Sequence, residues 1–183
     1  MEEEQVLTNK DGLLFKRCKK GNYTLTFSME NNHIILPKII DFNLIKLIYD
    51  LNPDVYEKVS LERMSDSTAV VTLLMKHFFE DMGLPQRYTF MHIEKIVEEE
   101  RIRFTSKSIL THRPEGIPEE AQIMAVKQMN NVCEIVSDHK VLFNFNIVFE
   151  NFVVIPPFAE KMITLILNKI FKRVKQFIEN VRM

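Results

Sequence analysis

The chain has 183 residues, long enough for about one domain to bury a hydrophobic core without disulfides or bound metals. Hydrophobic residues make up 46% of the sequence and charged residues 27%, as is typical of a globular protein. The formal net charge of −1 excludes a strong global field, which argues against partners bound mainly by charge, such as nucleic acid or an anionic membrane.

The N-terminal part of the chain predicts a flexible lead-in over residues 1–20, followed by a single α+β domain over residues 21–183. The lead-in carries a short basic cluster that we interpret as a solvated segment, formed by Lys16, Arg17, Lys19 and Lys20. Residues 23–29 alternate apolar and hydroxyl side chains, the period of a half-buried strand. After a turn at Asn31 and Asn32, residues 33–36 fit a second strand.

Two helices are predicted next. Asp41 is a good N-cap for a helix that carries its apolar residues at helical spacing and stops before Pro53. Residues 55–64 fit a strand and a helix equally well. For residues 68–82, the serines before them and Gly83 after them favour a second helix, although the Val-Val-Thr run also suits a strand.

From Arg87 onward the apolar period changes to two, which indicates strands. Residues 88–97 and 101–110 predict a hairpin around an acidic tip, and the proline- and glycine-containing residues 111–120 predict a loop. Residues 121–129 and 132–136 read as two strands or as one strand with a bulge at Asn130 and Asn131. Residues 141–149 form a strand with phenylalanine at alternate positions.

The last predicted element is a long amphipathic helix that begins after Pro156 and Pro157. Its apolar stripe, at spacings of three and four, consists of Ala159, Ile163, Ile166, Ile170, Val174, Phe177 and Val181. A helix of about 25 residues is roughly 37 Å long, enough to cross a sheet of six or seven strands. Because the stripe is wider in the first half, we expect that half to be the more deeply buried.

The sequence offers little catalytic chemistry. His92 and Glu94 lie two apart on one strand face, a spacing that suits an acid/base pair or half a metal site. A surface histidine beside acidic residues is the interpretation we favour. No nucleophile, phosphate-loop or metalloprotease motif is present. We therefore lean towards a non-enzymatic protein, without cofactor, metal or catalytic residues.

The cysteines, the apolar runs and the basic residues of the sequence indicate the location and the partners of the protein. Its two cysteines, Cys18 and Cys133, favour a cytoplasmic or other reducing compartment. An acidic start without an apolar run predicts no signal peptide, and no apolar window of about 18 residues predicts a transmembrane helix. One face of the second hairpin strand carries three basic residues, Arg101, Arg103 and Lys107. Acidic residues crowd the same hairpin, which disfavours a nucleic-acid surface.

The order of predicted elements resembles the helix-grip superfamily, which includes START lipid-transfer domains and pollen-allergen-like ligand carriers. The resemblance covers residues 23–181 but not the glycine-rich loop of the pollen-allergen-like members. It implies an α+β fold with a curved antiparallel sheet against a long C-terminal helix, and two helices between the first strand unit and the main meander. It also implies a cavity between sheet and helix, for which the candidate lining residues are Phe143, Phe145, Ile147, Met162, Ile166 and Ile170.

Three functions remain open from the sequence. The first is non-enzymatic binding or transfer of an apolar small ligand, such as a lipid, in the cavity between sheet and helix. The second is a structural or assembly protein with a solid core and a protein partner or further copies of itself. Residue usage rich in Ile, Asn, Lys and Phe suits an AT-rich genome, so a virion-associated protein fits this hypothesis. The third is an enzyme that uses His92 and Glu94.

Overall fold

The computed structural model describes residues 3–183, which form an α+β structure of ten strands and two α-helices. Two short 3-10 helices, Leu36–Ile39 and Glu80–Met82, lie in the connections. In chain order the elements are β1 (Gln5–Lys10), β2 (Leu13–Lys19), β3 (Asn22–Glu30), α1 (Phe42–Asp50), β4 (Tyr56–Arg63), β5 (Thr68–Met75), β6 (Arg87–Val97), β7 (Arg101–Ser108), β8 (Gln122–Ile123), β9 (Val126–Ser137), β10 (Lys140–Phe149) and α2 (Pro157–Asn180).

Nine strands form one curved antiparallel sheet in the order β1-β2-β3-β10-β9-β7-β6-β5-β4. The two-residue β8 lies off this path and pairs in parallel with the start of β6. Strands β3 and β10 are neighbours although more than a hundred residues separate them in the chain, and Phe27 is opposite Phe143 in their register. The sheet therefore pairs a strand from the first part of the chain with one from the last part away from its edges, and α2 contacts β1, β2 and β3.

Side-chain alternation explains why β3 and β10 have one buried face. Tyr23, Leu25, Phe27 and Met29 are all buried, while the threonines and serine between them are half-exposed. The rings of Phe27 and Phe143 stack with centroids 5.0 Å apart, and Phe171 of α2 lies 5.5 Å from Phe27. These contacts fix the helix on the sheet and confirm the two strands that the sequence predicts.

Helix α1 begins where the sequence predicts. The Asp41 carboxylate accepts hydrogen bonds from the backbone N–H groups of Asn43 at 2.8 Å and Leu44 at 3.2 Å. It thereby satisfies two of the N–H groups that a helix leaves free at its start. Phe42 and Leu44 are buried beneath the helix, so this cap also positions part of the core.

The second predicted helix, over residues 68–82, is wrong. Thr68–Met75 is strand β5, buried between β4 and β6, and only a 3-10 turn follows before Gly83. The supposed helix cap is instead a hairpin turn, in which the Ser65 hydroxyl accepts from the N–H groups of Ser67 and Thr68. Serine satisfies free N–H groups equally well in either setting, so its presence did not decide between them.

The N-terminal segment also differs from the flexible lead-in that the sequence predicts over residues 1–20. Residues 5–19 form β1 and β2, joined by a turn in which Asp11 and Gly12 have positive φ angles of 56° and 77°. Leu13 and Phe15 are buried at alternate positions of β2. The basic residues that follow them obscured this short apolar alternation, because it spans only three residues.

The structure also tests the predictions for three shorter parts of the chain. Residues 33–35 contain no strand, and the chain passes from a turn into the 3-10 helix that begins at Leu36. Val126–Ser137 is one strand, β9, as the second alternative has it, but without the predicted bulge, since Asn130 and Asn131 pair in register with Asn146 and Phe145 of β10. The predicted hairpin of β6 and β7 and the loop after it are confirmed.

Helix α2 is confirmed, and its predicted stripe faces inward from Ala159 through Ile163, Ile166 and Ile170 to Val174 but departs from the prediction at Phe177. The buried residues are Ala159, Thr164, Ile170, Val174 and Ile178. Phe177, predicted to point inward, is 45% exposed, and its neighbour Ile178 lies in the core instead. The first half is also not the more deeply buried, because it lies over a cavity rather than over packed sheet side chains.

Candidate ligand cavity

A cavity of about 360 Å³ lies between the buried face of the sheet and the two helices. Its wall is almost entirely apolar and is contributed by both helices, by the inward-facing residues of β3, β5, β6, β7, β9 and β10, and by the segment before β6. Volumes of about 300–1,000 Å³ are usual for small-molecule sites. The fold thus provides a ligand-sized apolar space at its centre.

Five of the six cavity residues that the resemblance implies line this space: Phe143, Phe145, Ile147, Ile166 and Ile170. Met162 does not line it and is 47% exposed. On α2 the cavity face is defined by Ile163, Ile166 and Ile170, and a residue next to Ile163 is rotated by about 100° around the helix axis. Met162 therefore points away, together with Phe158 and Leu165, which are also exposed.

One wall of the cavity is a packed aromatic cluster. The ring centroids of Phe143 and Phe145 are 5.9 Å apart, and Phe145 lies 5.8 Å from Phe27 and 5.2 Å from Phe171. These phenylalanines fill the space under the second half of α2. Under its first half they form one wall of the cavity.

Three polar side chains of the cavity wall have a buried atom without a hydrogen-bond partner among residues 3–183, and sequence reasoning missed all of them. The atoms are Ser106 Oγ, Asn131 Oδ1 and Thr89 Oγ1, each buried and without a hydrogen-bond partner in the described part of the chain. Ser106 follows Ile102 and Phe104 at the inward positions of β7, and the signal that could have found it is this polar residue in an apolar alternation. Buried polar groups normally have partners, so these atoms are candidate ligand contacts.

A second polar group ties the start of α2 to the sheet. Glu160 accepts hydrogen bonds from Arg17 Nη1 and from the Tyr23 hydroxyl, both at 2.7 Å. Burial, and then the hydrogen bond to Glu160, raises the pKa of Tyr23 well above its usual range, so the hydroxyl stays a donor. Arg17, which the sequence placed in a solvated lead-in, therefore holds the helix that covers the cavity.

The candidate catalytic residues are not brought to the cavity. His92 and Glu94 alternate along β6 with Met91 and Ile93, which face the cavity. The two candidate residues therefore lie on the outer face of the sheet. Cys133 does line the cavity, but burial raises the pKa of its thiol to about 12, so the reactive thiolate is not formed at neutral pH. Within residues 3–183, no group of three or more His, Cys, Asp and Glu side chains is arranged to hold a metal ion.

One end of the cavity is bounded by loops rather than by paired strands. The segment between β5 and β6 contributes Phe79, whose ring meets that of Phe158 edge to face with centroids 6.2 Å apart. Several large apolar side chains near this contact or on the same face of α2 are exposed, namely Phe78, Met82, Phe152, Val154, Phe158, Met162 and Leu165. Neither helix of residues 3–183 is long and apolar enough to span a membrane.

Comparison with solved structures identifies the fold. The lipid transfer and protein localization domain of human StarD13 is 9% identical and superposes with a TM-score of 0.69 over 99% of this chain and 91% of that one. Human STARD10, 9% identical, gives 0.65 over 94% and 71%. A STAR-related lipid transfer protein from Xanthomonas axonopodis, 10% identical, gives 0.63 over 96% and 98%.

At these identities the likeness is one of fold alone. The chain has the helix-grip fold of START-type domains, which confirms the resemblance inferred from the order of its elements. No family model matches the sequence, and no curated protein matches it.

Proposed function

We propose that the protein binds an apolar small ligand, such as a lipid, in the cavity between its sheet and α2, and transfers it without chemical change. The observation that carries this proposal is the cavity itself, whose volume and apolar lining suit an alkyl chain. Each buried methylene contributes about 0.8 kcal/mol, so ten of them provide roughly 8 kcal/mol before the entropy of binding is subtracted.

The shared fold supports the same proposal, since the StarD13 domain and the Xanthomonas axonopodis protein are named for lipid transfer and this chain has a cavity between its sheet and its terminal helix. The loop-bounded end, where Phe79 meets Phe158, is the most direct route for a ligand because no backbone pairing joins the two segments. The exposed apolar side chains near this end suit brief contact with a membrane surface, from which a lipid is taken up.

Two tryptophan substitutions on α2 test the proposal. Ile166→Trp adds volume inside the cavity, whereas Leu165→Trp adds the same ring at a position that is 57% exposed. The probe is N-phenyl-1-naphthylamine, whose fluorescence rises in an apolar site. We expect the probe to bind the wild-type chain and Leu165→Trp equally, and Ile166→Trp at least ten-fold more weakly.

Thermal unfolding of each variant establishes that the chain is folded before binding is compared. Failure of the probe to bind the wild-type chain would contradict a ligand cavity. Equal binding by the two tryptophan variants would place the binding site elsewhere.

A further inference from the structure

The cavity carries a polar pair that the apolar binding proposal leaves unexplained. We propose that Ser106 and Asn131 anchor the ligand through one uncharged hydrogen-bonding group, a hydroxyl or an amide, and so select an amphipathic neutral lipid. This inference rests on the proposed function, because it assigns the chemical class of the ligand in the same cavity.

The sheet register places the two side chains next to each other. Ser106 of β7 lies opposite Met129 of β9, and Phe104 lies opposite Asn131, so Ser106 and Asn131 are diagonal neighbours on one face. Diagonal residues of an antiparallel pair are about 7–8 Å apart, with their Cβ atoms somewhat closer. A single ligand oxygen or amide between the two side chains can therefore reach both.

Both atoms are buried deeply enough that they need a partner. Ser106 is 5% exposed, and neither its Oγ nor Asn131 Oδ1 has a hydrogen-bond partner among residues 3–183. A buried polar atom left without a partner loses the hydrogen bonds it made to water, which disfavours the folded state. A ligand group that pairs with these atoms restores that loss, and an alkyl group in the same place does not.

The two side chains complement a neutral group. Asn131 Oδ1 is an acceptor, and the Ser106 hydroxyl both donates and accepts. A ligand hydroxyl can donate to Asn131 and accept from Ser106, and an amide offers the same combination through its N–H and C=O groups. The remaining neighbours in the register, Phe104 and Met129, are apolar, which suits the rest of such a ligand.

An ionised headgroup does not fit at this position. The charged residues of the cavity lining are Asp41, Lys76, Arg87 and Glu160. Along β6, Arg87 is about 20 Å from Ile93, the residue opposite Ser106, and Lys76 lies at the same loop-bounded end. Lys95 of β6 is opposite Phe104 in the register, but its ammonium lies over the Phe42 ring, 5.6 Å from the ring centroid, and it does not line the cavity. A carboxylate or phosphate held by Ser106 and Asn131 would therefore be buried without a cation of the cavity wall beside it, and burial of such a charge is strongly unfavourable.

The test compares three twelve-carbon probes, dodecan-1-ol, dodecane and dodecanoate, delivered as cyclodextrin complexes to the full chain. Each competes with N-phenyl-1-naphthylamine, and the concentration for half displacement is measured. We expect the alcohol to displace the probe at about ten-fold lower concentration than the alkane, because the alcohol gains one to two additional hydrogen bonds in the cavity. Dodecanoate should be weaker than the alcohol.

The double variant Ser106→Ala/Asn131→Leu removes the anchor, and Thr105→Val serves as the matched control. Thr105 lies between Phe104 and Ser106 on the other face of β7, opposite Asn130, and does not line the cavity. The double variant should bind alcohol and alkane equally, with its affinity for the alkane retained. Thr105→Val should keep the wild-type preference for the alcohol.

Each outcome distinguishes the anchor from the carrier function. Two results would overturn the anchor and leave the cavity proposal standing. One is equal displacement of the probe by alcohol and alkane on the wild-type chain. The other is a preference for the alcohol that persists in the folded double variant. If the double variant does not fold, the ratio of the two probes on the wild-type chain alone decides. Failure of N-phenyl-1-naphthylamine, the alcohol and the alkane to bind would overturn the anchor together with the proposed function.

Discussion

Two serines on β7 occupy the same face of the sheet but differ in hydrogen bonding. Ser108 Oγ accepts from the backbone N–H of the buried Val126 at 2.7 Å. Ser106 Oγ, two residues earlier, has no partner in the described part of the molecule. The same substitution at the two positions should therefore change stability in different directions.

We predict that Ser106→Ala leaves the free energy of unfolding of the ligand-free chain unchanged or raises it by up to about 1 kcal/mol, because a buried unpaired hydroxyl is removed. Ser108→Ala should lower it by about 1–3 kcal/mol, because it leaves the Val126 N–H buried without its acceptor. Urea unfolding after delipidation measures both values. Equal destabilisation by the two variants would show that Ser106 is already paired.

At the scale of single residues, the sequence predicts apolar lining better than polar lining. Alternation places Phe143, Phe145 and Ile147 on the inner face, because the pleat of a strand fixes which residues point together. It does not reveal the anchor atoms of Ser106 and Asn131. Whether a polar residue at an inward position has a partner depends on neighbouring strands that are distant in the chain.

At the scale of the element, helix α2 closes the core through a narrow stripe. Ile170 is 2% exposed and contacts both the core and the cavity, whereas Leu165 is 57% exposed on the opposite side. We predict that Ile170→Ala lowers the free energy of unfolding by about 2–5 kcal/mol. Leu165→Ala should change it by no more than about 0.5 kcal/mol. A similar, small effect of both variants in denaturant unfolding would mean that α2 is not docked as described.

The two halves of α2 are fastened by different glutamates. Glu160 accepts from Arg17 and Tyr23 near the start of the helix, and Glu179 accepts from Lys175 and from the backbone N–H of Glu30 near its end. Each carboxylate therefore fixes its own half of the helix to the sheet.

We predict that Glu160→Gln speeds amide hydrogen exchange several-fold in residues 157–166 and leaves residues 170–178 unchanged, because only the first half loses its ion pair. Glu179→Gln is the matched control and should affect the second half. Exchange measured by mass spectrometry on peptides from each half decides this. Uniform acceleration along α2 in either variant would contradict separate fastening.

The wrongly predicted elements share one cause. Capping and turn residues are visible in the local sequence, whereas the pairing of a strand with its neighbours in the sheet is not. The segment that became β5 carries helix-like end signals at Ser65 and Gly83, yet pairing on both sides makes it a strand. Helix α1 was predicted correctly because its cap and its apolar spacing agree with where it packs. Strand β2 was missed since its identity depends on pairing with β1 and β3.

At the scale of the whole molecule, Asp54 connects the segment after α1 to helix α2. Its carboxylate accepts from Arg173 Nη1 at 2.5 Å and also forms an ion pair with Lys169. The hydrogen bond from Arg173, followed by that from Lys169, holds the pKa of Asp54 well below its usual range.

A lowered pKa in the folded state stabilises the protein above the unfolded-state pKa of about 3.9, and this contribution is lost as the pH falls below it. We predict that the free energy of unfolding of the wild-type chain decreases more steeply between pH 5 and pH 3 than that of Asp54→Asn. The effect should be modest and weaken with salt, because the pair is partly exposed. Parallel pH profiles for the two chains would show that Asp54 does not contribute.

The order of elements was sufficient to predict the overall architecture, because a strand meander that ends in a long amphipathic helix has few ways to bury its apolar faces. The cavity volume could not be predicted in this way. It depends on how closely Phe143, Phe145 and Phe171 pack, and the same residues in slightly different positions would fill the space.

Native mass spectrometry of the purified full chain shows whether this cavity holds an apolar ligand. We predict a species heavier than the 21.6 kDa chain, whose additional mass appears as lipid in an organic extract. A chain that has only its own mass, and keeps that mass after incubation with phosphatidylcholine vesicles containing a long-chain alcohol, would contradict ligand binding in the cavity.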